Sequence, residues 1–172
     1  MKFSVKQIFT VLISMLLTLA LLFVGQRVYR ATAVETPLVS NLSRVAGVSQ
    51  ARLEGNSVVV RIKPGADLMT VYRDVAAQAK ATTGHAPAKI DIVSHADVTL
   101  AQLQKDVPFI IAQGEATGQF VAMKTSIIAM ARQHQTGVTV ELGAHHLYLT
   151  FSHHHRVLYD VVPITIGGNG RG

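Results

Sequence analysis

The chain contains no cysteine. That excludes disulfides, thiolate metal sites, a cysteine nucleophile and a lipid-modified N-terminal cysteine. It leaves the compartment open, because an envelope domain with a good core needs no disulfide. Recognisable catalytic motifs are missing too. There is no G-x-S-x-G elbow and no P-loop, and Gly167-Gly168-Asn169-Gly170 has no helix after it to make a dinucleotide fingerprint. No pair of carboxylates stands out for acid–base work. The expectation is a non-enzymatic protein without a cofactor and without an identifiable small-molecule ligand.

Acidic residues are absent before Glu35, whereas Lys2, Lys6, Arg27 and Arg30 flank one long apolar run. The net charge is +6 over the chain and the pI about 9.9, but from Ala31 onward the surplus falls to +2. A basic balance of that size usually raises nucleic-acid binding. Here it sits where lysine and arginine flank lipid headgroups, so no nucleic-acid partner is expected.

The run itself, residues 8–25, holds no charge for 18 residues. As a helix it measures about 27 Å, close to the hydrocarbon thickness of a bilayer. Secretory apolar regions are shorter, and Ala31-Thr32-Ala33 lies beyond the run with two arginines between. The expectation is an uncleaved single-pass anchor, with the bilayer as partner through residues 8–25. Flanking charge is balanced, and the short leading segment favours a cytoplasmic N-terminus with the domain outside.

Segments follow from this: 1–7 leading residues, 8–25 anchor, 26–35 tether, 36–164 an α+β domain, and 165–172 a tail expected to lack structure. The domain divides into candidate modules 36–97 and 98–164. In the first, Thr36-Pro37 opens a helix that Gly47 ends. Residues 49–54 and 57–63 alternate around Gly55-Asn56, a two-residue hairpin turn that pairs Leu53 with Val58 and Ala51 with Val60. Asp67 caps a helix to about Ala81, striped by Leu68, Val71, Tyr72, Val75 and Ala79. Residues 89–94 are a third strand.

The second module opens on a capping-box pattern, Thr99 with Gln102. Apolar residues then follow at helical spacing to Met130, interrupted by Pro108, Gly114 and Gly118, as one bent helix or two. A three-stranded antiparallel meander closes the domain. Val138, Val140 and Leu142 oppose Leu147, Leu149 and Phe151, and those oppose Val157, Tyr159 and Val161 across a three-residue loop of His153 to His155.

The order helix, strand, strand, helix, strand over 36–94, with its Ala46-Gly47-Val48 turn, is similar to the small ring-building modules of bacterial secretion and sporulation assemblies. Those sit beside a transmembrane helix and oligomerise. The resemblance spans about a third of the chain and implies association with itself or with another envelope protein. The helical region and meander after Asp97 depart from it.

Histidines supply the remaining chemistry. Five of the eight cluster as His145-His146 and His153-His154-His155, which makes them candidate metal ligands. The expected register puts the clusters in turns roughly 20 Å apart, at the two ends of one strand. Each then reads as solvated turn residues unless Asp160, Glu141 or a second chain completes a site. Ser94-His95-Ala96-Asp97 follows a strand, with His95 a candidate general base, although Ser94 and Asp97 equally suit a helix N-terminus.

Overall fold

The computed structural model describes residues 5–30, 36–55 and 57–165, with side chains described from Ile13 to Gln26 and from Pro37 onward. Residues 1–4, residues 31–35 (half of the tether, with Ala31-Thr32-Ala33), Asn56, the Thr36 side chain and residues 166–172 lie outside the described residues. Among those described, the chain is α+β with five helices and two three-stranded sheets.

Helix α1 (Val5–Arg30) contains the apolar run. Its described side chains cover roughly 14 residues, about 21 Å of helix. Among the described residues no helix is long and apolar enough to cross a membrane, so the expected span rests on residue order alone. From Ile13 to Val24 the large apolar side chains are all exposed, Met15 at 69% and Phe23 at 68%.

The first unit runs α2 (Thr36–Ser43), β1 (Val48–Glu54), β2 (Ser57–Ile62), α3 (Leu68–Thr83) and β3 (Lys89–Ile92). Leu53 pairs with Val58 and Ala51 with Val60, as turn chemistry and alternation require. Gly55 has φ +63°, a conformation glycine adopts without strain. The Asp67 carboxylate accepts the Thr70 N–H at 2.7 Å and starts α3, and Gly84 ends it. Strand β3 adds to β2 in parallel, giving the order β1-β2-β3. Gly47 is needed twice over: its φ is +84°, and a Cβ there would sit 2.5 Å from Val71 Cγ2.

The second unit resolves the helical ambiguity into α4 (Val98–Thr117) and α5 (Phe120–Gln133). Helix α4 continues through Pro108 and stops at Gly118, where φ is +68°. The expected Thr99–Gln102 capping box does not form. Asp97 is the N-cap, accepting the Leu100 N–H at 2.9 Å, and Gln102 instead donates to Asp106 one turn along. Gly114 is buried at the crossing of the two helices, where a Cβ would meet Met123 Cβ at 2.7 Å.

Strands β4 (Gly137–Leu142), β5 (His146–His153) and β6 (Arg156–Pro163) form the antiparallel meander. The β4–β5 register is the expected one, Val138 with Phe151, Val140 with Leu149 and Leu142 with Leu147. The β5–β6 register is not. His153 pairs with Arg156, so the connection is a two-residue turn of His154-His155, and His154 takes φ +52°. One residue fewer in the loop moves every β6 side chain to the other face. Leu158 and Val162, rather than Val157, Tyr159 and Val161, lie beside Phe151 and Leu147.

That shift explains how the units join. Leu147, Leu149, Phe151 and Leu158 pack under α4 and α5 with Leu100, Leu103, Val107 and Ile127. On the reverse face Tyr148 is buried in the core of the first unit, and Tyr159 and Val161 pack against it. That core holds Leu38 and Leu42 of α2, Val71 and Val75 of α3, and Val58, Val60 and Ile62 of β2. The two sheets are also linked edge to edge. Tyr159 N–H donates to Ser94 Oγ at 2.9 Å, Ser94 Oγ donates to Tyr159 O at 3.2 Å, and His95 N–H donates to Val157 O at 2.9 Å. Helices α2 and α3 therefore lie on one side of a nearly continuous sheet. Helices α4 and α5 lie on the other, packed on the meander, with Gln104 of α4 reaching a cleft beside β3.

Candidate functional site

The histidine clusters stand at opposite ends of β5, His146 as its first residue and His153 as its last. His145 is exposed, and its carbonyl accepts the Ile164 N–H at 2.9 Å. His146 is half-buried in an aromatic group, its ring 5.3 Å from Tyr72 and 6.1 Å from Tyr148. These rings and Arg73 border an open cleft of about 660 Å³ between α3 and the β4–β5 turn. Burial raises both phenol pKa values, so Tyr72 and Tyr148 stay neutral hydrogen-bonding groups there.

At the far end, His153 is no solvated turn residue. Its Nδ1 lies 2.6 Å from Asp97 Oδ2, and its side chain is only 17% exposed. The His154 ring stacks edge-on at 4.2 Å, while His154 and His155 are themselves exposed. Asp97 is the partner that residue order hides: it lies 56 positions away and reads locally as a cap. The His153 contact, followed by the Leu100 N–H bond, holds the Asp97 carboxyl below the usual carboxylate range.

The Ser94-His95-Ala96-Asp97 segment is likewise engaged in architecture. Ser94 Oγ bridges two backbone groups of β6, and Asp97 serves both α4 and His153. His95 is exposed and binds β6 through its main chain. Of the carboxylates considered as extra ligands, Glu141 pairs with Tyr148 and Asp160 with Leu149, both within strands rather than at the histidine turns. Glu141 lies against Asp67, and burial followed by that neighbouring charge raises its pKa. Asp160 borders a second cleft, about 480 Å³, with Asp91, Ser94 and Gln104, and burial raises its pKa as well. Among the described residues no three His, Asp or Glu side chains converge as a metal site.

Among the described residues no helix lies over one face of the first sheet, although Val59 at its centre is only 7% exposed. On sheet β1-β2-β3 the face opposite α2 and α3 carries Arg52 and Glu54 of β1, Ser57, Val59 and Arg61 of β2, and Lys89 and Asp91 of β3. Arg52 binds Glu54 at 2.9 Å and Lys89 binds Asp91 at 2.6 Å, with all four side chains between 41% and 69% exposed. No protein-family model, curated protein or solved structure matches this chain.

Proposed function

We propose that this is a membrane-tethered, non-enzymatic association domain, anchored by residues 8–25 and held outside the cytoplasm. The observation that carries the association reading is the exposed charged face of sheet β1-β2-β3, which no described helix covers, flanked by side chains already committed to the fold. The groups best suited to chemistry are engaged in architecture instead: Ser94 links the two sheets, and the Asp97–His153 pair ties α4 to β5. A sheet face bearing both charge signs offers a rim of polar contacts to a protein surface.

The anchor reading rests on the 18 uncharged residues and their basic flanks. It is also supported by exposed apolar side chains from Ile13 to Val24, a surface that lipid would cover. The full-length protein is expected to stay with membranes through high-salt and alkaline washes, and to crosslink there to itself or to another envelope protein. Recovery of the chain in the wash overturns the anchor. Membrane-bound protein that yields only uncrosslinked monomer overturns the association reading.

A further inference from the structure

The sheet face that no described helix covers has a charge pattern that fits itself. Strand pairing sets two rows across it, Glu54–Ser57–Lys89 and Arg52–Val59–Asp91. One edge strand reads negative then positive along these rows, and the other reads positive then negative. A two-fold axis parallel to β2 and between two facing copies exchanges β1 with β3 while keeping each row level. Arg52 then stands over Asp91 of the second copy, and Glu54 over its Lys89. Each contact occurs twice, as a self-complementary interface requires. The two Val59 positions lie nearest the axis but are each only 7% exposed within their own chain, so the contact is made by the charged side chains and by Ser57 meeting Ser57.

We infer that this face binds a second copy of the same chain in that two-fold arrangement, which rests on the association reading above. The Arg52–Glu54 and Lys89–Asp91 pairs within one chain are exposed, and exposed pairs hold their partners weakly. Facing a second sheet they keep those contacts, gain an opposite charge from across the interface, and lose the water that screens them. The footprint is small. Three strands by about five residues cover on the order of 250 Å², against roughly 800 Å² per partner in a standard interface. The dimer is therefore weak and salt-sensitive in free solution. Confinement beside a membrane supplies the high effective concentration that such a contact needs.

Arg61 makes the geometry specific. It lies on the central strand beyond the Val59 row, so the axis brings two Arg61 side chains together. Removing that charge should strengthen association, whereas a face that binds an acidic partner would lose affinity.

The chain's lack of cysteine makes the test direct. Full-length Ser57→Cys protein in liposomes is treated with a bis-maleimide that spans the roughly 10 Å between packed sheets, and the linked dimer is quantified, with Ala81→Cys on α3 as the control position. Dimer is expected at position 57 and several-fold less at 81. Adding Arg52→Glu or Asp91→Arg should each reduce the linked dimer several-fold. An equal mixture of those two variants should recover it. In the mixed pair alone, the new glutamate of one copy faces the new arginine of the other, and the unaltered Arg52 and Asp91 face each other. Arg61→Gln should raise the yield. Unchanged melting temperatures confirm that each variant folds. Single charge variants that link like the parent, or a mixture that fails to recover, overturn the two-fold face. If amine-reactive crosslinking still gives oligomers, the association reading survives that loss. If neither method links the chain to any protein, both readings fall.

Discussion

Asp97 holds two elements with its two carboxylate oxygens: Oδ1 accepts the Leu100 N–H that starts α4, and Oδ2 meets His153 Nδ1 at the end of β5. A local cap and a contact across 56 positions thus share one side chain.

The pair should be visible in a set of melts. His153→Asn is expected to lower the melting temperature by a few degrees, Asp97→Ala by more, and His155→Asn by almost nothing. Exposed turn residues without partners usually change stability by less than about 0.5 kcal/mol. Equal effects at His153 and His155 would remove the tie. Acid dependence follows from the depressed Asp97 pKa. Its contribution is present above the ordinary value of 3.8 and is lost as pH falls through the lower folded value. In Asp97→Asn the acid limb of the stability profile should flatten.

Glu141 should act in the opposite sense. Burial and the Asp67 charge raise its folded pKa above 4.5, so the folded state holds the proton more tightly than the unfolded state. Stability is then greatest below 4.5 and declines as pH rises through the raised value. Glu141→Gln is expected to raise the melting temperature at neutral pH and leave it unchanged at about pH 4, where the carboxyl is already protonated. A lower neutral melting temperature in this variant would show that the carboxylate is wanted in its charged form.

Gly55→Val should destabilise the domain by about 1–2 kcal/mol, the cost of forcing a left-handed backbone on a side chain that resists it. Space is not the reason, since nothing lies within 4 Å of a Cβ there. Gly55→Asn should therefore be nearly silent, because asparagine tolerates this conformation. A large loss with asparagine would point to a cause other than φ.

Gly114→Ala should cost about 1–3 kcal/mol by overpacking, since its Cβ would lie within 3 Å of three Met123 side-chain atoms. Combined with Met123→Ala the two losses should fall somewhat short of additive, because the Sδ and Cγ contacts at 2.6 and 2.8 Å disappear while the Cβ contact remains. Strict additivity in thermal melts would separate the two sites.

Legibility in the amino-acid order followed the range of the determining interaction. The Gly55 turn, the Asp67 cap and the β4–β5 register are set by neighbours in sequence, and each was readable. The β5–β6 register was not, because it depends on His154 entering a left-handed conformation with no glycine or asparagine to announce it. The parallel joining of β3 to β2 and the Ser94 bridge to Tyr159, 65 positions on, have no local signature. Of the candidate site residues, the separation of the histidine clusters followed from strand length, and the Asp97 partnership with His153 came only from the fold. The exposed charged face could be read as one face of a hairpin. That no described helix covers it depends on where α4 and α5 stop.

Burial of Tyr148 among the residues of α2, α3 and β2 has a consequence for the order of events during synthesis. The ribosome delivers Leu38, Val58, Val71 and Val75 well before Tyr148, Tyr159 and Val161, which complete the same core. Until those three arrive, the first unit carries an apolar opening that lies against nothing. The nascent chain thus passes through a sticky interval about 70 residues long, roughly 4–14 s at ordinary elongation rates. A premature stop before β5 would leave that opening permanent and turn a surface meant for the protein's own interior toward its neighbours.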